Sequence, residues 1–359
     1  MNTSGKRYLS IYEQVRKDII EGRYRTGTKL PSKRVMAESM DVSVITIQHA
    51  YELLSEEGYI QPKEKYGYYV VYEDKDFFAT PVKKSYVSVA SEAKPANDSS
   101  SIDSVAFSPS IYAKTTRKVL TDLGDEVMQR SPMNGILRLR QAITEYLRRS
   151  RHIDVNPNQI IIGAGAEYLY GLLVQYFGRD VVYGIESPSY QKIAKVYSAG
   201  GAKLEMLKLG NDGIESDELW NSSASVLHIT PYRSFPSGVT ASAFKKREYL
   251  KWSSLKNAFI IEDDFESEFT PSRKPEETLF SLDNEDRVIY VNTFSKTISS
   301  SIRIAYMLMP EGILDSFMEK TGFYECPVPS LEQHILAQLI EGGDFERHIN
   351  RVRRFNRRR

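Results

Sequence analysis

The sequence predicts two unlike folds in tandem: a small α+β module of three helices and a β-hairpin, then a larger α/β domain with a largely parallel sheet. Three observations predict it. Residues 8–73 carry helix-period apolar spacing that gives way to strand alternation. Residues 91–104, SEAKPANDSSSIDS, are polar and Ser-rich, with Ile102 as the one large apolar side chain. From residue 106 onward, short apolar runs alternate with helical segments. The 359-residue length leaves room for both, at roughly 100–200 residues per domain.

In the first module, residues 8–22 place Ile11, Tyr12, Val15 and Ile19 on one helical face. Gly22 and Gly27 break that pattern. Ser32 is a good N-cap for a short second helix over 33–40. Asp41-Val42 makes a tight turn, and Ser43 caps a third helix. That helix turns Ile47, Ala50, Leu53 and Leu54 inward and stops at Gly58. Residues 59–61 and 68–72 alternate like two short strands, joined by Pro62-Lys63-Glu64-Lys65-Tyr66-Gly67. Three helices closed by such a hairpin make a winged helix-turn-helix. Residues 74–105 read as a linker. In the second domain the expected strands are 159–163, 181–185, 225–229, 258–261, 288–292 and 303–309.

The composition, 41% apolar and 26% charged, excludes a collagenous, mostly disordered or disulfide-scaffold chain. The one cysteine, Cys326, cannot form an internal disulfide or supply a zinc cluster. A reducing, cytoplasmic compartment follows as the expectation. The five histidines lack metal-ligand spacing, so no metal site is expected. The most apolar stretch, 160–178, is interrupted by Glu167 and by glycines, and reads as buried strand and helix rather than a membrane span. The net charge of +1 is unevenly spread. Residues 1–35 hold nine Lys/Arg against three acids, and residues 347–359 hold seven Arg and no acid. Basic ends on an acidic body suit a polyanion partner, although a solvated basic face would look the same from charge alone.

Two groups of residues carry candidate chemistry. A recognition helix presents polar side chains to base edges in the major groove. Here these are Ser43, Thr46, Gln48 and His49. Lys33 and Arg34 open the preceding helix, where phosphate contacts are expected, and Lys63 and Lys65 sit at the wing tip. The second group lies at strand ends, where ligands of open α/β sheets bind. The strand over 258–261 ends in Glu262-Asp263-Asp264, and that over 288–292 ends in Thr293-Phe294-Ser295-Lys296. Three adjacent acids after an apolar strand are costly unless one has a buried cationic partner. Lys296 could form a Schiff base with an aldehyde cofactor. Arg303 suits a phosphate, and Gly163-Ala164-Gly165-Ala166-Glu167 follows a strand and opens a helix, a cradle of backbone N–H groups.

The segment LPSKRVMAESMDVSVITIQHAYELLSEEGYI resembles the winged-helix domain of GntR-type bacterial transcription regulators along its whole length. The segments ITPYRSFPSG, IIEDDFESEF and TFSKTISSSIR, in that order, resemble the fold-type-I, pyridoxal-phosphate-dependent class I aminotransferases. Together they look like the MocR/GabR-type regulators, in which a GntR-type winged helix precedes an aminotransferase-like domain. The resemblance implies a DNA-binding domain over 8–73 and an aminotransferase-like domain over 106–359. It implies pyridoxal 5'-phosphate as cofactor, held by Lys296. Asp263 would bind the pyridine nitrogen, and Tyr190 would stack on the ring. Ser295, Arg303 and the backbone of Ala166 and Glu167 would hold the phosphate.

Three departures from the family stand out. Val44 occupies a position that is often Arg, Phe265 one that is commonly Tyr, and Lys192 one that is often Arg near the effector carboxylate. The chain stops at Arg359, within what reads as a helix, whereas family members continue into a small domain carrying the substrate-carboxylate arginine. The run RHINRVRRFNRRR is therefore expected to be an inter-domain helix rather than a nucleic-acid tail, and transamination to be slight or absent. The expected protein is a homodimeric transcription regulator that binds double-stranded operator DNA and senses an amine or amino acid. An aminotransferase that carries a DNA-binding domain, or a cofactor-free DNA-binding remnant, are the alternatives.

Overall fold

A computed structural model describes residues 4–63, 66–72, 106–270 and 277–357. They form two compact units, one on each side of the expected linker, which lies outside the described residues.

The N-terminal unit holds α1 (Ser4–Ile20), α2 (Lys33–Ser39), α3 (Val44–Glu56), β1 (Ile60–Lys63) and β2 (Gly67–Val70). Both expected caps form. The Ser32 Oγ accepts from the Val35 N–H at 3.3 Å and the Ser43 Oγ from the Thr46 N–H at 3.2 Å. Ile11, Val15 and Ile19 of α1 pack on Ile47, Ala50, Tyr51 and Leu54 of α3. Tyr51 takes the fully buried place that the sequence reading gave to Leu53, and its hydroxyl donates to the Pro31 carbonyl at 3.0 Å. The β1–β2 ladder is antiparallel and pairs Pro62 with Tyr68, so Pro62 and Lys63 belong to a strand and not to the turn. A two-stranded sheet is all edge and tolerates the missing proline N–H.

The second unit runs α4 (Pro109–Leu123), α5 (Leu137–Arg151), β3 (Ile160–Gly163), α6 (Ala166–Phe177), β4 (Val182–Ser187), α7 (Gln191–Ala199), β5 (Lys203–Lys208) and α8 (Ser216–Asn221). It continues with β6 (Val226–Ile229), α9 (Ala243–Lys256), β7 (Phe259–Asp263), α10 (Leu279–Leu282), β8 (Val288–Thr293), α11 (Phe294–Thr297) and β9 (Ala305–Leu308). Three helices close it: α12 (Glu311–Thr321), α13 (Ser330–Glu341) and α14 (Asp344–Asn356). The Arg-rich segment is thus helical as far as Asn356.

The seven strands lie in the order β3-β9-β8-β7-β6-β4-β5. The strands β8, β7, β6, β4 and β5 are parallel, while β9 is antiparallel to both neighbours. The sheet is mixed, as its β9 reversal requires. Its edge strand β5, KLEMLK, went unread in the sequence because charged and apolar residues mix along a largely exposed edge.

Strand alternation sorts the core into layers. Ile161, Ile261, Ile289, Val291 and Met307 pack beneath α6, α7 and α12. Ile160, Ile162, Tyr290 and Leu308 pack against α5, α13 and α14 on the other face. Ile260, Val288 and Leu227 join Trp252 of α9. Among the described residues no helix is long and apolar enough to cross a membrane.

Candidate cofactor and nucleic-acid sites

The topology gathers the strand-end residues at one rim. Strands β4, β6, β7 and β8 are parallel, so Ser187, Ile229, Asp263 and Thr293 end on the same side. The reversed β9 begins there, with Ala305 opposite both Thr293 and Gly163. Arg303 therefore precedes β9 at the rim where Gly163 leads into the Gly165 turn and α6.

The period of two also separates the three acids at the end of β7, Glu262 and Asp263 within the strand and Asp264 just after it. Asp263 lies on the α6 side, where it accepts from the Tyr170 hydroxyl at 2.5 Å. The His228 Nε2 lies 3.6 Å from it, is buried, and makes no hydrogen bond. The Tyr197 hydroxyl meets the other ring nitrogen of His228 at 2.8 Å. Burial first, and the Asp263 charge second, push the Tyr170 phenol well above its ordinary range, which keeps it a donor. Glu262 and Asp264 lie on the opposite side. Glu262 accepts the Leu279 and Phe280 N–H groups at 2.8 and 2.9 Å. Asp264 has the expected cationic partner: Arg151 Nη2 lies 3.1 Å away, and the Tyr290 hydroxyl donates at 2.8 Å. Neither Tyr170 nor His228 was legible as a site residue. Tyr170 sits one helical turn beyond Ala166, and His228 on β6 beside β7.

The Gly165 turn meets Arg303 directly. Gly165 has φ +94°, and a Cβ there would come within 2.4 Å of Arg303 Nη2. Only glycine allows both the backbone and the close approach. The Glu167 carboxylate in the first turn of α6 lies 3.4 Å from Arg303 Nη2 and forms an ion pair with Lys192. Two cations and a helix N-terminus thus surround one anionic group. Ser295 donates its hydroxyl to the Ile302 carbonyl at 3.0 Å, which ties α11 to the segment leading to Arg303. The Lys296 Nζ lies 5.7 Å from the centre of the Phe265 ring. Tyr190 precedes α7 and packs edge-on to Phe235, ring centres 6.2 Å apart.

Glu186, near the end of β4, is a further rim acid that the sequence reading missed. It is buried beside Ser234, whose hydroxyl it accepts. Burial pushes its carboxyl up to about 7 against the hydrogen bonds from Ser234 and Thr230. Between pH ~4.5 and ~7 the folded protein therefore holds a proton that the unfolded chain has released, so this group's contribution falls as pH rises. Glu186→Gln cannot lose a proton. Relative to that variant, the wild type is expected to lose about 1–3 kcal/mol between pH 5.5 and 8, read by urea unfolding. Parallel pH profiles for the two proteins would refute the assignment.

In the N-terminal unit, the Gln48 Nε2 donates to Glu52 at 2.9 Å, and its Oε1 lies 3.4 Å from the Lys33 Nζ. The Thr46 and Ser43 hydroxyls are 2.8 Å apart. His49 packs edge-on to Tyr8 at 5.9 Å. Arg34 is exposed on α2. The Lys63 Nζ lies 4.6 Å from the Tyr69 ring centre, and Lys65 lies outside the described residues.

Comparison with known proteins assigns both units. Residues 7–70 match the family of bacterial regulatory proteins, gntR family, and residues 107–359 match aminotransferase class I and II. The HTH-type transcriptional regulator YdeL of Bacillus subtilis is 33% identical over 98% of this chain and 77% of its own length. The probable rhizopine catabolism regulatory protein MocR of Rhizobium meliloti is 29% identical over 97% of this chain and 74% of its own. Among solved structures, kynurenine aminotransferase of Pyrococcus horikoshii superposes with a TM-score of 0.63 at 23% identity, which shows a shared fold. The match covers 69% of this chain and 64% of that one, so the chain spans less than two thirds of that structure. The chain belongs to the MocR-type GntR regulators, in which a winged helix-turn-helix is followed by an aminotransferase class I and II domain.

Proposed function

We propose that this protein is a cytoplasmic transcription regulator that binds operator DNA through residues 8–73 and pyridoxal 5'-phosphate through residues 106–359, joined by a linker over 74–105. The observation that carries the cofactor reading is the single rim holding Asp263, Lys296, Arg303 and the Gly165 turn. The P. horikoshii structure, a complex with PMP, supports it by fold. The residues present fit the group. Gly165, where a Cβ would come within 2.4 Å of Arg303 Nη2, lets that guanidinium lie against the turn that opens α6, the pairing of cation and backbone N–H groups that suits a phosphate. The Glu167 carboxylate marks the place as one that accepts an anion. A buried acid at Asp263, held by Tyr170, suits a protonated pyridine nitrogen.

When bound, the cofactor supplies an aldehyde for amines and an electron-withdrawing ring. The chain's residues do the rest. Lys296 supplies the amine. Asp263 holds the proton on the ring nitrogen. Tyr190 would lie against the ring, and Ser295, Arg303 and the backbone of Ala166 and Glu167 would hold the phosphate. Lys192, half-exposed at the rim, meets the carboxylate of an amino-acid effector. A homodimer would present two winged helices to two half-sites.

DNA binding is tested by mobility shift with the protein's own promoter region. Affinity is expected to fall steeply between 50 and 200 mM salt, as for several neutralised phosphates. Arg34→Ala is expected to weaken binding to all sequences alike and to reduce the salt slope by about one. Affinity independent of both salt and Arg34 would contradict the reading.

A further inference from the structure

We infer that Ile45, with Val44 beside it, reads thymine 5-methyl groups in the major groove, and so makes this regulator select thymine under the first turn of its recognition helix. The inference rests on the DNA-binding reading above. The helix α3 spends Ile47, Ala50, Tyr51 and Leu54 on the core of its unit. Helical period turns Ile45 away from that stripe, and it is 66% exposed, with Val44 41% exposed. An exposed β-branched pair on a helix contributes nothing to the core and is mildly unfavourable for the helix. Its position is the one from which recognition helices reach base edges.

The polar residues around it are already engaged. Gln48 is bridged between Glu52 and Lys33. Thr46 is bonded to Ser43, and His49 is packed on Tyr8. Among these engaged polar groups, Ile45 and Val44 project as an exposed apolar pair. The preceding helix supplies cations: Lys33 reaches Gln48 of α3 at 3.4 Å, and Arg34 beside it is exposed. An exposed apolar pair next to a helix that opens with two cations suits a polyanion that itself displays an apolar group. In duplex DNA that group is the thymine methyl, which lies in the major groove and distinguishes thymine from every other base there.

The test uses the whole chain and a duplex pool with a randomised window, enriched by binding. Each thymine of the selected half-site is then replaced by deoxyuridine, which removes only the methyl group. Affinity is read by fluorescence anisotropy at fixed salt. One or two replacements are expected to weaken binding about three- to fivefold each, the effect of one methyl-sized burial. With Ile45→Ser those same replacements are expected to be neutral. With Arg34→Ala they are expected to keep their penalty, although binding is weaker throughout. If Ile45→Ser fails to fold, Ile45→Ala serves, and the deoxyuridine series on the wild type stands without either. Uniform tolerance of deoxyuridine by the wild type, or an unchanged penalty in both Ile45 variants, overturns the inference while leaving DNA binding intact. No duplex enriched from the pool overturns both.

Discussion

Replacing Lys296 by alanine is expected to abolish the near-visible absorbance band that the wild type gains with pyridoxal 5'-phosphate. In the proposed site the amine that follows β8 is the nucleophile, and the other rim amine, Lys192, is held by Glu167. Non-covalent binding should persist, because Arg303, the Gly165 turn and the α6 N-terminus are untouched. Asp263→Ala is expected to act differently. The band remains available at saturating cofactor, but affinity drops about 10- to 150-fold, the equivalent of one charged hydrogen bond at about 1.5–3 kcal/mol. Spectrophotometric titration of the three proteins separates these outcomes. An unchanged band in Lys296→Ala would place the covalent chemistry elsewhere.

The second large effect is on stability. Arg151 is buried between two acids, Asp264 at 3.1 Å and Glu268 at 3.9 Å. Arg151→Met would leave both buried carboxyl groups without their cation in the core between the sheet and α5. Breaking such a pair by removing one partner costs about 3–5 kcal/mol. Burial already pushes Glu268 up to about 7 despite the arginine, so loss of the cation drives it further toward the neutral acid. Adding Asp264→Asn and Glu268→Gln to Arg151→Met is expected to recover part of the loss. Urea unfolding of the single and triple variants reads both effects. Equal stability of Arg151→Met and wild type would show that the network contributes nothing. Because Arg151 lies on the face opposite Asp263, the folded variant should still gain the Lys296-dependent band.

These residues also mark how far the sequence could be read. The caps at Ser32 and Ser43 were legible because a capping serine acts on its own next residues. Each parallel strand from β4 through β8, edge β5 apart, was legible as a buried apolar run, and the acids after β7 announced a partner. Which residue would be that partner was not legible. Arg151 is 113 positions from Asp264 and comes into place only when α5 packs on the sheet. The same holds for Tyr170 and His228 around Asp263, and for the ion pairs that tie Glu167 to Lys192 and Arg303. The sequence suggested the Glu167 backbone as a phosphate ligand, but gave no sign that its side chain would lie against the same cations. The antiparallel turn of β9 was likewise hidden, since an apolar run carries no direction.

The most direct test of the cofactor site is borohydride reduction of the wild type supplied with pyridoxal 5'-phosphate, followed by intact-mass measurement and peptide mapping. One phosphopyridoxyl group per chain, confined to the peptide bearing Lys296 and absent from Lys296→Ala, is the predicted result. No adduct on the wild type, or an adduct that persists in Lys296→Ala, would contradict the account.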